Sequence, residues 1–356
     1  MVLAIGAGTG RGTGWRYLLV TDTLVRMPRA NDPPADAAVI ELRDFSVAFA
    51  GLPVVHALNL RIARGDAVGM VGESGSGKSA TWLGVLGLLP STASVSGQAL
   101  LDGENLLTAS PRRLAGIRGG RIGLIFQDPG SALNPIHRVG AQVSEALRVH
   151  RGLTGASARA EAKQLFHQVG IPDAARRLDL YPHELSGGQN QRVMIAMALA
   201  GQPDLLIADE PTTALDTTIQ AQILDLLDRL RRDTGMAMVL ISHDLSVVAE
   251  LCSRIAVMYA GRIVEDAPTD ALFADPAHPY TRGLLAAVPP LIGPRQRLAS
   301  IRGNVPEPWN MPPGCAFAPR CPLAAEDCAT GVPLMQSVTP GHSAACLRAN
   351  QDRVTA

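Results

Sequence analysis

Residues 72–79 read Gly-Glu-Ser-Gly-Ser-Gly-Lys-Ser, and residues 185–189 read Leu-Ser-Gly-Gly-Gln. The first run meets the phosphate-loop pattern G-x-x-x-x-G-K-[ST] at Gly72, Gly77, Lys78 and Ser79. Its glycines let the backbone turn N–H groups inward around phosphate oxygens. Ser74 and Gly75 lie within the same cradle. An apolar strand over 67–71 and a helix from 79 to about 89 are predicted on either side. The helix dipole then favours the bound anion. Lys78 is expected to reach the β- and γ-phosphates of a nucleotide, and Ser79 a Mg²⁺ ion. In the second run, Ser186, Gly187 and Gly188 open a predicted helix over 189–200, with Gln189 at its start. A helix N-terminus of small residues is a second anion site.

Three further runs end apolar strands with polar side chains. Residues 205–210, Leu-Leu-Ile-Ala-Asp-Glu, read as a buried parallel strand carrying two acids at its C-terminal edge. Asp209 is placed to hold Mg²⁺, and Glu210 to orient and polarise an attacking water. Residues 239–244 repeat the design and offer His243 as a donor to a γ-phosphate. Residues 121–127 end on Gln127, able to contact Mg²⁺ or water. By contrast, the glycines of residues 6–14 never meet the G-x-G-x-x-G spacing, and that run reads as a flexible extension.

Together these elements resemble the ATP-binding subunits of ABC transporters over residues 39–356. Five separate motifs occur in that family's order. The resemblance makes residues 72–79 the Walker A loop, Gln127 the Q-loop, residues 185–189 the signature and residues 205–210 Walker B. It makes Ala214-Leu215-Asp216 the D-loop and His243 the switch histidine. Phe49 stands where the family's adenine-stacking aromatic is expected. The resemblance also implies that signature residues Ser186 to Gln189, with Asp216, close over ATP held by another subunit's Walker A loop. One chain carries one copy of each motif, so a second ATPase subunit is required, either a copy or a similar chain. Catalysis falls to Glu210, with His243 and Gln127.

The elements that must position these residues follow from the patterning. Strands and helices alternate through 39–267, giving an α/β P-loop NTPase core. Amphipathic stretches at 139–151 and 157–169 suggest an inserted helical subdomain over about 131–188. By the resemblance, this subdomain carries the signature and, with Gln127, forms the groove for the membrane subunits. Residues 1–38 are expected to be a flexible extension, with Met27 an alternative start. Lys+Arg and Asp+Glu both total 32, so nothing argues for nucleic-acid binding. No run of 18 apolar residues occurs, and residues 1–20 lack a secretory apolar core.

Beyond residue 268 proline, alanine and arginine rise. His278-Pro279-Tyr280-Thr281-Arg282-Gly283, with Pro313-Gly314-Cys315 and Pro319-Arg320-Cys321-Pro322, resembles the C-terminal region of oligopeptide, dipeptide and nickel importer ATPases. That resemblance implies an importer of peptides or related solutes. Its partners are two permease subunits and a solute-binding protein, and its place is the cytoplasmic face of the membrane. A soluble ABC ATPase of translation or DNA maintenance is the alternative. Cys315, Cys321, Cys328 and Cys346 follow a C-x5-C-x6-C-x17-C spacing in a segment that reads as poor in core residues. Four thiols there suggest a metal staple. By the resemblance a [4Fe–4S] cluster is expected, with Zn²⁺ or unliganded thiols as alternatives. Cys252 reads as a core residue.

Overall fold

The computed structural model describes residues 17–20, 23–26, 38–213, 215–287 and 301–349. The glycine run at 6–14 and D-loop residue Ala214 lie outside them. Strands β1 (Tyr17–Val20) and β2 (Thr23–Arg26) pair antiparallel. Strands β3 (Ala38–Phe49) and β4 (Leu52–Ala63) form a long hairpin. Its two-residue turn has Ala50 at φ 49° and Gly51 at φ 83°, the left-handed pair that matches strand twist.

Strand β5 (Ala67–Val71) leads through the phosphate loop into helix α1 (Lys78–Val85). The helix stops short of the expected residue 89. Gly87 takes φ 60°, and the amides of Gly87 and Leu88 donate back to the carbonyls of Gly84 (3.0 Å) and Leu83 (2.8 Å). That is a glycine-closed helix end. Strands β6 (Ala93–Leu101) and β7 (Glu104–Asn105) complete a four-stranded antiparallel sheet, ordered β4-β3-β6-β7.

Helix α2 (Pro111–Ile117) precedes β8 (Ile122–Ile125). No strand is described between β8 and β9 (Leu205–Asp209). The chain instead runs through α3 (Pro129–Ala132), α4 (Val139–Arg151), α5 (Gly155–Gln168), α6 (Ala174–Arg177) and α7 (Gly187–Leu199). Then follow α8 (Thr217–Thr234), β10 (Ala237–Ser242), α9 (Leu245–Leu251), β11 (Arg254–Tyr259), β12 (Arg262–Pro268), α10 (Thr269–Ala274) and α11 (Pro279–Ala286). Strands β13 (Gln336–Thr339) and β14 (His342–Ala344) close the described chain. The main sheet is ordered β13-β14-β12-β11-β5-β10-β9-β8, with the five strands from β11 to β8 parallel.

Both faces of the parallel strands are buried, which is why they read as unbroken apolar runs. Alternate residues serve different cores. Met238 and Leu240 of β10 pack toward the helical layer with Leu206 and Ala208 of β9. Val239 and Ile241 face the other way, with Ile207, Trp82 of α1 and Phe45 of the antiparallel sheet. Cys252, just past α9, is buried as expected, and burial pushes its thiol up to about 12.

The C-terminal region is an integral layer of the same core. Phe317 is buried within the first core, beside Tyr259 and Tyr280. Glu265 of β12 has 0% exposure. Its carboxylate accepts from the amides of Ala277 (2.6 Å) and His278 (2.9 Å) and pairs with His342 Nε2 of β14 (2.7 Å).

Candidate functional site

The carboxyl ends of β5, β9 and β10 meet at one edge, where open α/β sheets bind ligands. The phosphate loop leaves β5 there. Gly72 has φ 154°, and a Cβ on it would lie 2.1 Å from the Met258 carbonyl oxygen, so only glycine fits. Gly77 caps α1 at φ 100°, and a Cβ there would press on Met258 and the Val54 carbonyl. Ser74 and Gly75 form the exposed crest of the loop.

Lys78 is 6% exposed and points back into the loop. Its Nζ donates to the carbonyls of Gly72 (2.7 Å) and Glu73 (2.9 Å) and to Ser76 Oγ (3.2 Å). Burial holds its amine below the usual lysine range, against the pull of Glu210, Asp209 and Glu73. Its three partners are neutral oxygens, which an anionic phosphate outcompetes. Asp209 ends β9. Burial pushes its carboxyl up, although a hydrogen bond from Ser79 pulls the other way. A buried carboxyl beside a hydroxyl is an oxygen donor set suited to Mg²⁺.

Glu210 follows at φ 46°, a left-handed conformation that costs a non-glycine residue strain. Its amide donates to the Ile241 carbonyl at 2.9 Å, which locks the turn across to β10. Three side chains gather on its carboxylate. Gln127 Nε2 donates at 2.9 Å, Thr213 Oγ1 at 2.9 Å, and His243 Nδ1 lies at 3.0 Å. Burial pushes the Glu210 carboxyl up, but the bonds from His243 and Thr213 outweigh it and hold it below the usual carboxylate range. Thus Gln127, Glu210 and His243, 83 and 33 positions from one another through Glu210, share one carboxylate. Thr213 was not foreseen from the sequence. The only signal is its place one turn after Glu210, where its amide donates to the Glu210 carbonyl at 3.1 Å.

The second glycine run opens α7 at an exposed surface. Ser186 is the N-cap: its hydroxyl accepts from the Gln189 amide (3.4 Å), and Gln189 Oε1 accepts from the Ser186 amide (3.2 Å). This reciprocal box orders the helix start while Gly187 stays exposed and Gly188 half-buried. Arg177 also donates to Gln189 Oε1 at 2.8 Å. A Cβ on Gly188 would sit 2.8 Å from Ile219, so the start of α7 packs against the start of α8. Asp216 caps α8, its Oδ1 accepting from the Ile219 amide at 3.0 Å. Phe49 ends β3, half-buried against the second core.

One expectation is corrected. Cys315, Cys321, Cys328 and Cys346 do line a common cavity, but its volume is about 10 Å³. No group of three or more His, Cys, Asp or Glu among the described residues is disposed to hold a metal ion. The iron–sulfur cluster is therefore not supported, nor is its zinc alternative. Burial pushes the thiols of Cys315, Cys321 and Cys346 up. Spacing suggested a staple because the segment reads as short of core. In the fold it borrows the core of the nucleotide domain through Phe317, and the Cys315 amide donates to the Cys328 carbonyl at 2.8 Å.

Comparison with known proteins agrees with this geometry. Residues 55–213 match the ABC transporter family model, and residues 264–328 match the oligopeptide/dipeptide transporter C-terminal region. A Brucella abortus protein named for peptide import is 49% identical over 315 residues, covering 87% of this chain and 95% of the relative. The dipeptide transport ATP-binding protein DppD of Escherichia coli is 47% identical over 293 residues, covering 82% of this chain and 90% of DppD. Among solved structures, a dimeric ATP-binding cassette in a post-hydrolysis state with ADP and Pi superposes with a TM-score of 0.58 at 28% identity. It covers 65% of this chain and 98% of the cassette. With a phosphate loop, a gripped Glu210 and a second, outward-facing helix end on one P-loop NTPase core, the chain belongs to the ABC transporter ATP-binding family, in the branch with the oligopeptide/dipeptide transporter C-terminal region.

Proposed function

We propose that this chain hydrolyses ATP to power the uptake of peptides or related solutes through a membrane permease. The observation that carries this reading is the coexistence of the Glu210 cluster with the importer-type C-terminal region. That region also disfavours a soluble ATPase of translation or DNA maintenance.

Each site residue has a role in this reading. The loop from Gly72 to Ser79 cradles the phosphates through backbone N–H groups other than that of Glu73, which Tyr280 holds, and Lys78 exchanges its loop carbonyls for β- and γ-phosphate oxygens. Ser79 and Asp209 hold Mg²⁺, with Gln127 in reach of the same edge. When bound, that ion neutralises charge on the transferred phosphoryl group. Glu210 orients the attacking water, and its lowered pKa keeps it ionised as an acceptor at neutral pH. His243, 64% exposed at its side chain, can swing from Glu210 toward the γ-phosphate. Phe49 stacks on the adenine. Ser186, Gly187, Gly188 and Gln189, with Asp216, face a second ATPase subunit and close over its nucleotide. The dimeric relative with ADP and Pi supports this mode of assembly.

No described helix is long and apolar enough to cross a membrane. In this reading the chain sits peripherally at the cytoplasmic face, docked on two permease subunits. A solute-binding protein delivers the cargo. The test is ATP hydrolysis by the complex reconstituted with its permease in proteoliposomes. Peptide-loaded binding protein is expected to stimulate hydrolysis and drive peptide inward. ATPase activity indifferent to permease and peptide would overturn the reading.

A further inference from the structure

Glu73, the second residue of the phosphate loop, is gripped from three sides. Its carbonyl accepts from Lys78 Nζ at 2.9 Å. Its amide donates to Tyr280 Oη at 2.9 Å, across 207 positions of chain. Its carboxylate accepts from Arg320, whose Nη1 lies 3.0 and 3.2 Å from the two oxygens and whose Nη2 lies 3.2 Å from Oε2, across 247 positions. Two of the three grips come from the C-terminal region, and the third is the lysine that faces the phosphates.

The gripping residues are themselves immobilised. The Arg320 side chain is 6% exposed. Its Nε donates to the Arg302 carbonyl (2.9 Å), Nη2 to the Gly303 carbonyl (3.1 Å) and Nη1 to Tyr259 Oη (3.3 Å). The guanidinium lies 5.7 Å from the Tyr259 ring and 5.9 Å from the Phe317 ring. Tyr280 is fully buried and packs against Tyr259 at 4.6 Å and Phe317 at 5.4 Å between ring centroids. A planar fork pinned on every nitrogen sets the position of what it binds, unlike a flexible surface ion pair. Gly72 adds that the neighbouring backbone has no slack, since Met258 closes on it.

We propose that Arg320 and Tyr280 are positioning residues for the ATP site. They fix Glu73, and through its carbonyl and amide they fix the loop conformation that Lys78 and the phosphates share. Contacts from Arg320 and Tyr280 that raise nucleotide affinity are strengthened by bound nucleotide by the same factor. The C-terminal region thereby senses nucleotide occupancy through the phosphate loop. This rests on residues 72–79 being the ATP site, so nucleotide binding by the wild-type chain is measured first, and its absence would sink that reading instead.

The experiment compares wild type with Tyr280→Phe, Arg320→Lys, Arg320→Gln, Glu73→Gln and the double change Glu73→Gln with Arg320→Gln. Tyr280→Phe removes one oxygen from a packed ring, so it retains the fold if the arginine variants do not. The expected result is an ATP KM raised about 5- to 30-fold with kcat held within about 2-fold. Arg320→Lys should fall between wild type and Arg320→Gln. The double variant should be no worse than the weaker-binding single, because both remove one contact. Hydrogen exchange at 301–349 should slow when ADP binds wild type, and that slowing should vanish in Arg320→Gln. Unchanged KM in the folded variants, additive effects in the double variant, or a C-terminal region whose exchange ignores ADP would each overturn the proposal.

Discussion

Two helix N-termini in this chain open on glycines, and they are finished differently. At α1 the cap is a glycine with no side-chain hydrogen bond, and a buried lysine stands beside it. At α7 the cap is Ser186 in a reciprocal box with Gln189, exposed, with no acidic or basic residue in the first turn. The first is a grip: charge, loop and acids converge, and the loop is wedged against Met258 and Val54. The second is a plate, pre-ordered by its own side chains and braced on α8. In the proposed reading the grip holds its own chain's nucleotide and the plate, with Arg177 bonded to its box at Gln189, meets a nucleotide held by a second subunit.

That contrast can be broken at several points. Lys78→Ala removes the cation of the grip, and ATPase turnover of the assembled transporter should fall by about 10³-fold or more. Near-normal turnover would leave the two ends without their distinction. Glu210→Gln should lower kcat by about 10²- to 10³-fold while ATP still binds. Size-exclusion chromatography with ATP should then show an accumulated dimer. A variant that turns over normally would shift the base elsewhere.

Ser186→Arg addresses the plate. In a mixed dimer with a wild-type partner, hydrolysis at the partner's site should drop by about 10- to 100-fold, because the side chain fills the space before the helix end. ATP crosslinking to the variant chain itself should persist. Damage confined to the variant's own site would mean that the plate serves its own chain. The smallest effect is expected from Ser186→Ala, which removes only the cap. Thermal unfolding should report about 1 kcal/mol of lost stability, and a loss far above that would mean the hydroxyl bonds more than its own helix.

Much of this was legible in the sequence because it is local. The phosphate loop, the acids at the end of β9 and the box at α7 are each fixed by residues a few positions apart. Their element boundaries came out within a few residues. The early stop of α1 at Gly87 was also available in principle, since glycine is the usual residue at such a closure. What could not be read was long-range. Thr213 joins Glu210 only because a left-handed residue turns the chain back on itself. Arg320 meets Glu73 across most of the molecule, and no spacing rule reports it. The cysteines failed for the opposite reason. Their spacing was read as a local framework, while the segment is held by packing on a core built from strands far upstream.

Glu265 has a consequence for how the molecule comes apart. All three partners of its fully buried carboxylate, the amides of Ala277 and His278 and the ring of His342, lie beyond residue 268. Cutting the chain at 267 would remove all three of those partners together with the β14 strand that pairs with Glu265. The β12 strand that carries it pairs directly with β11, next to the strand that feeds the phosphate loop. Melting should therefore be one cooperative event for the core and residues 268–287 and 301–349 together, with no separate early transition for those residues.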